Sequence, residues 1–161
     1  MWHLDQRGRP RRANGEIRFN AGAPGSPGRT CEIEHAGFRL CTLTNNTAEI
    51  SGRQLERAGL LDAFERRFSV DDVRRHKPAP EVYASVARAL QAQPSAICLV
   101  ACHTWDTLGA VAAGWEAALV LRPGNALLDV GPQPQMTGVD LREVADKLIA
   151  RYADRDRVVP V

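Results

Sequence analysis

Hydrophobic and polar residues alternate in blocks along most of this 161-residue chain. From Phe38 onward, short apolar runs are followed by longer stretches in which apolar residues recur every three or four positions. Short apolar runs favour buried strands, and the longer period favours amphipathic helices. Regular alternation of the two predicts an α/β fold built on a parallel sheet.

The pattern predicts four strands and four helices in this part of the chain. A turn or a helix-capping residue follows each strand, which is how such units are usually connected. The strands are expected at 38–44, 67–70, 96–101 and 117–121. The first helix is expected from about Thr47, capped by Asn46 with Glu49, and its apolar face carries Ile50, Leu55 and Ala58. The second is expected from Pro80, with Val82, Val86 and Leu90, and the third from Thr104 as cap, with Leu108, Val111 and Ala112. The fourth is expected from Asp140, which forms a capping box with Glu143.

The first 37 residues have a different composition. They are rich in Arg, Gly and Pro and lack a sustained period, so they cannot easily bury apolar surface. One short stretch, Glu16 to Asn20, alternates like a strand. We therefore predict an irregular or disordered segment at 1–37, an α/β core at 38–152 and a tail at 153–161.

Charge and composition narrow the class of protein. The net charge of +2 is too balanced to indicate a nucleic-acid partner. No apolar run reaches the roughly 18 residues of a membrane span, and no leader is apparent, so we expect a cytoplasmic protein without a membrane partner. The four cysteines form no C-x-x-C pair, which favours free thiols over a zinc site.

Polar residues stand where the predicted strands end. Thr44 and Asn45 follow one strand, His103 and Asp106 follow another, and Lys77 lies in a proline-rich loop between them. The carboxyl ends of parallel strands meet at one edge of the sheet, where α/β proteins bind ligands. We expect these side chains to form one site there.

Three segments in this order carry a family resemblance. They are LTNNT at 43–47, AGLLDAFERRFSVDDVRRHKPAPEVY at 58–83 and ICLVACHTWDTLGAVAAGW at 97–115. Together they resemble the haloacid dehalogenase superfamily, and within it the 2-haloacid dehalogenase (type II) branch, from about Phe38 to Tyr152. The resemblance implies part of the Rossmann-like parallel sheet of that superfamily.

The resemblance also implies roles for the polar residues. Thr44 would bind the anionic part of the substrate, and Asn45 would help to bind the departing halide. Lys77 would keep a nucleophilic carboxylate ionised and oriented, with Tyr83 beside the substrate. Taken alone, Thr44 and Asn45 fit a strand end followed by a helix cap better than they fit a binding site.

The last segment separates the branches of the superfamily. Cys102 stands where the phosphatases carry the first of two acids that bind Mg²⁺, and a thiol is a poor ligand for that ion. We therefore expect no metal and no cofactor. Trp105 and Asp106 match the dehalogenase form, in which Asp106 would support Lys77 or the hydrolytic water. His103 departs from that form, and fits either a hydrogen bond to water or carboxylate or a helix entry without chemistry.

The implied reaction is hydrolytic removal of halide from a short 2-haloalkanoic acid, which gives a 2-hydroxy acid through an aspartyl ester. Its nucleophile is an aspartate at the end of the first strand, and no such strand is evident before Phe38. Asp5, in HLDQRG, echoes the motif but follows no apolar run. We expect a truncated member without the nucleophile strand and the cap domain.

A missing central strand would leave unpaired backbone groups in the sheet. Either the segment at 16–20 or another chain could fill the gap, and an exposed edge would favour a homo-oligomer. Two further functions stay open at this point. One is a Mg²⁺-dependent phosphatase of the same superfamily, and the other is a non-catalytic remnant or interaction module.

Overall fold

A computed structural model describes residues 16–19, 33 and 36–153 of the chain. Its strands bear out the predicted α/β class. They are β1 (Glu16–Phe19), β2 (Arg39–Thr44), β3 (Arg66–Ser69), β4 (Ile97–Ala101), β5 (Glu116–Val120) and β6 (Met136–Gly138).

All six strands are parallel and form one sheet in the order β3-β2-β1-β4-β5-β6. The centre of the sheet is β1, the stretch whose alternation suggested a strand. Its last residue, Phe19, pairs with Thr42 of β2 and Val100 of β4. The gap expected between β2 and β4 is therefore filled by residues 16–19, the first of the two alternatives given above, and the edges of β2 and β4 are paired. Asp5, the rest of 1–15 and the tail from 154 lie outside the described residues.

Four helices cover the two faces of the sheet: α1 (Ala48–Arg57), α2 (Pro80–Leu90), α3 (Thr104–Ala112) and α4 (Leu141–Ala153). Strand side chains alternate between the faces, as Val100 and Leu99 of β4 do. One apolar cluster joins Val100 to Leu55 of α1 and Val144 of α4, and the other joins Leu99 to α2 and α3. None of the described helices is both long and apolar enough to cross a bilayer.

Most predicted boundaries hold to within one residue, but two caps differ. The cap of α1 is Thr47, whose hydroxyl accepts from the Ile50 amide at 3.3 Å, and not Asn46. Thr104 does not cap α3; its hydroxyl donates to the Ala126 carbonyl at 2.8 Å and so ties the helix start to the loop after β5. Half of the capping box of α4 is confirmed, because Asp140 accepts from the Glu143 amide at 2.8 Å, whereas the Glu143 carboxylate accepts from the Val139 amide at 2.8 Å and not from that of Asp140. The short edge strand β6 was not predicted.

Candidate functional site

A buried ion pair lies at the carboxyl edge of the sheet. Lys77 Nζ donates to Asp106 Oδ2 at 2.7 Å, and the two side chains expose 1% and 0% of their surface. Lys77 Nζ also donates to the Leu43 carbonyl at 3.0 Å. Burying two charges costs free energy unless geometry and hydrogen bonds compensate. The short distance and the additional acceptor supply that compensation here.

The backbone of Lys77 is held by the loop that follows β2. Asn45 accepts from the Lys77 amide at 2.9 Å and donates to the Lys77 carbonyl at 3.5 Å. Ser69, the last residue of β3, donates to the Asn46 carbonyl at 2.8 Å and closes the same loop. The ends of β2 and β3 thus fix the segment from which the lysine side chain reaches the ion pair.

Tyr83 joins the pair from α2. Its hydroxyl lies 3.3 Å from Asp106 Oδ1 and 3.2 Å from the Asp106 carbonyl, and its ring packs edge-on against Trp115 with centroids 5.3 Å apart. Burial, and then the charge and hydrogen bond of Asp106, raise the pKa of Tyr83. The phenol is therefore a neutral donor, and both Asp106 carboxylate oxygens have a donor.

Helix α3 buries a different face from the predicted one. Leu108 and Val111 are partly exposed and Ala112 is exposed, whereas Asp106 and Gly109 are buried. The spacing of apolar residues predicted the wrong buried face, because the face that packs against α2 contains the Asp106 carboxylate. This inversion puts Asp106 inside the protein next to Lys77.

The remaining predicted residues, Trp105, His103 and Thr44, make no hydrogen bond to the ion pair among the described contacts. The Trp105 ring is 41% exposed, with its centroid 5.9 Å from Lys77 Nζ, near the outer limit for a cation–π contact. His103 stacks on that ring at 5.6 Å, so its link to Lys77 is indirect. Thr44 is buried, and its hydroxyl accepts from the Asn46 amide at 3.0 Å instead of contacting the ion pair.

The structure therefore brings Lys77, Asp106, Tyr83 and Asn45 into direct contact, with Trp105 at the rim. Sequence reasoning missed the Leu43 carbonyl, which no side-chain motif could reveal. It also missed Gly109, although a glycine in a helix interior is unfavourable and so is a signal in itself.

Three acidic protons, two on buried side chains and one on a half-buried side chain, predict how stability depends on pH. Burial raises the pKa of Tyr83, Tyr152 and Cys98, with smaller contributions from nearby charges. The folded state therefore binds these protons more tightly than the unfolded chain does. Stability is fully present below the ordinary pKa values, about 8.5 for Cys and about 10 for Tyr, and falls as pH rises above them.

We expect urea midpoints, followed by circular dichroism, to be flat near neutrality and to fall at alkaline pH. Cys98→Ala should remove the part of the fall that begins near the thiol's ordinary pKa of about 8.5 and leave the tyrosine part. A stability that stays flat or rises through alkaline pH would contradict this assignment.

A parallel sheet of this order, with a buried lysine–aspartate pair at its carboxyl edge, is the arrangement that the sequence resemblance implied. Residues 30–120 match the family model described as haloacid dehalogenase-like hydrolase. The match covers more than half of the chain, and the chain belongs to this family.

Among its relatives, the (S)-2-haloacid dehalogenase of Pseudomonas sp. (strain YL) is 32% identical over 115 residues, which cover 71% of this chain and 50% of that protein. Pyrophosphatase PpaX of Halalkalibacterium halodurans is 31% identical over 88 residues, 55% of this chain and 41% of that protein. The chain thus spans about half the length, or less, of these two relatives.

Solved structures show the same fold. The crystal structure of the L-2-haloacid dehalogenase RSc1362 superposes with a TM-score of 0.74 at 26% identity, over 78% of this chain and 56% of that one. A phosphatase of the family from Thermococcus onnurineus gives a TM-score of 0.69 at 23% identity, over 78% of this chain and 57% of that one, and shares the fold.

Proposed function

We propose that this protein is a 2-haloacid dehalogenase-like hydrolase whose site acts on a short 2-haloalkanoic acid. In that reaction a carboxylate attacks the carbon bearing the halogen, the carbon–halogen bond breaks, and halide leaves with the electron pair. Water then cleaves the resulting ester and releases a 2-hydroxy acid. The observation that carries the proposal is the buried Lys77–Asp106 pair beside the end of the central strand.

The geometry supports distinct roles within this proposal. Lys77 supplies positive charge for an attacking carboxylate, and Asp106, held by Tyr83, keeps the ammonium in place. Asn45 fixes the Lys77 backbone, and we propose that its position beside Thr44 puts it on the substrate side. Trp105 offers an exposed apolar wall, with His103 stacked behind it. We propose that these two line the entrance for the haloacid.

The test is chloride release from 2-chloropropionate by the full chain, with and without a chelator. We expect the same rate in both conditions, because the proposed displacement at carbon uses no metal. Lys77→Met should lose this release, and its matched control Lys147→Met, which removes an exposed lysine in α4, should keep it. Release that requires added Mg²⁺ would contradict a displacement without a metal, and Mg²⁺-dependent hydrolysis of a chromogenic phosphate instead would assign the protein to phosphoryl transfer.

The donor set does not fit the Mg²⁺ of the phosphatase alternative. Cys102 offers a soft sulfur ligand, and both oxygens of Asp106 already accept hydrogen bonds from Lys77 and Tyr83. Within the described ranges, no three His, Cys, Asp or Glu side chains converge as a metal site would require. These side chains support chemistry at carbon over metal-assisted phosphoryl transfer.

A second candidate is a non-catalytic member of the family, and one sequence feature favours it. The residue that follows Phe19, the last residue of β1, is Asn20. By resemblance the family carries its nucleophilic aspartate at the end of this strand, and a carboxamide cannot replace a carboxylate as nucleophile. No halide release from well-folded protein would support this second candidate.

A further inference from the structure

Helices α2 and α3 approach each other closely at a glycine. Gly109 lies three residues after Asp106 in α3, and it is buried. A Cβ atom at this position would lie 2.5 Å from the Tyr83 hydroxyl and 2.6 Å from Pro78 Cβ. Real Cβ atoms essentially never approach other heavy atoms within 3.0 Å, so any side chain here forces its neighbours to move.

Both neighbours of Gly109 belong to the ion-pair site. The Tyr83 hydroxyl is the group that donates to Asp106, and Pro78 follows Lys77 in the chain. Neither contact involves the free end of a flexible side chain, because the phenol is buried and Pro78 Cβ belongs to a rigid ring. A displacement of these groups therefore changes the distances of Tyr83 and Lys77 to Asp106.

We propose that Gly109 is a positioning residue of this site. The absence of a side chain lets α2 and the Lys77–Pro78 segment dock close enough to α3 for Tyr83 and Lys77 to reach the two oxygens of Asp106. A glycine inside a helix is less favourable than alanine. The close approach provides the physical reason for this glycine, and the inference rests on the proposed function in that it concerns the same site.

Gly109→Ala tests the inference against a matched control in the interior of α1. A Cβ at Gly52 would meet its nearest neighbour, Arg67 Nη1, at an ordinary 3.7 Å. We therefore expect Gly52→Ala to raise the urea midpoint through helix propensity and Gly109→Ala to lower it. Equal midpoint changes in the two variants would overturn the inference.

A second background separates positioning from general packing. Tyr83→Phe removes the oxygen that makes the shorter contact, so Gly109→Ala should lower the urea midpoint less in this background than in the parent. If Gly109→Ala alone does not fold, the double variant should fold. An undiminished loss, or a double variant that is equally unfolded, contradicts the inference.

The phenol provides a spectroscopic readout. The chain has two tyrosines, so Tyr152→Phe leaves Tyr83 as the single phenol that titrates. In that background we expect Gly109→Ala to bring phenolate absorbance to lower pH while circular dichroism still reports folded protein. An unchanged titration would overturn the inference. The urea and absorbance measurements need no turnover, so they test the role of Gly109 even if the protein releases no halide.

Discussion

Lys77→Met is expected to lower the free energy of unfolding by about 3–5 kcal/mol, the usual cost of breaking a buried ion pair by removing one partner. Asp106 would keep its charge inside the protein with Tyr83 as a remaining donor, and the Leu43 carbonyl would lose the ammonium that it accepts from. Urea unfolding followed by circular dichroism measures the change.

The chain contains a matched control for this substitution. Lys147 and Glu143 form a pair at 2.6 Å in α4, but the two side chains are 46% and 40% exposed. Exposed pairs are screened by water and contribute little to stability, so Lys147→Met should cost far less than Lys77→Met. Adding Asp106→Asn to Lys77→Met should recover part of the loss, because the buried charge is removed. Equal costs for Lys77→Met and Lys147→Met would show that the buried pair contributes no more than a surface one.

If the parent releases no halide, as the non-catalytic candidate predicts, Asn20→Asp is expected to give the largest change in activity, from the background rate to measurable halide release from 2-chloropropionate. The substitution places a carboxylate directly after Phe19 in the sequence, and Phe19 pairs with Thr42, the residue before Leu43. The Leu43 carbonyl accepts from Lys77 Nζ. A carboxylate can then act as the nucleophile that a carboxamide cannot be.

Two controls keep this gain interpretable. Asn20→Gln changes the side chain without adding a carboxylate and should leave the rate at background. Asn20→Asp combined with Lys77→Met should lose the gain, since the lysine would no longer stabilise the ionised nucleophile. Halide release by the parent at the rate of Asn20→Asp would show that the protein obtains its nucleophile elsewhere.

The sequence predicted the sheet well because its strands are short apolar runs between clear turn signals. The end of β2 and the segment around Lys77 were recognised from their polar residues, and their contact follows from parallel topology. Strand β1 was harder to predict, because four residues within a Gly- and Pro-rich stretch carry little periodic signal. Its position in the sheet is explained by the backbone N–H and C=O groups of β2 and β4, which need hydrogen-bond partners on the sides where β1 lies.

The face of α3 could not be predicted from hydrophobic period. The spacing of apolar residues predicts that Leu108 and Val111 face the core and that Asp106 faces solvent. Asp106 can be buried because Lys77 and Tyr83 donate hydrogen bonds to its carboxylate. Those partners are 29 and 23 residues away in the sequence, so the information is not local. For the same reason the sequence alone could not explain Gly109, because its close neighbours Tyr83 and Pro78 are distant in the sequence.

The position of β1 has a consequence for how the protein folds. In the described sheet, the β2–β3 pair and the β4–β5–β6 group are joined by hydrogen bonds through the four residues of β1. Forming that link closes a loop from Glu16 to Ile97, a separation of 97 − 16 = 81 residues. Such non-local pairing slows folding, because loop-closure entropy is lost before the contacts form. Continuous backbone hydrogen bonding across the whole sheet therefore depends on one of the shortest strands among the described residues.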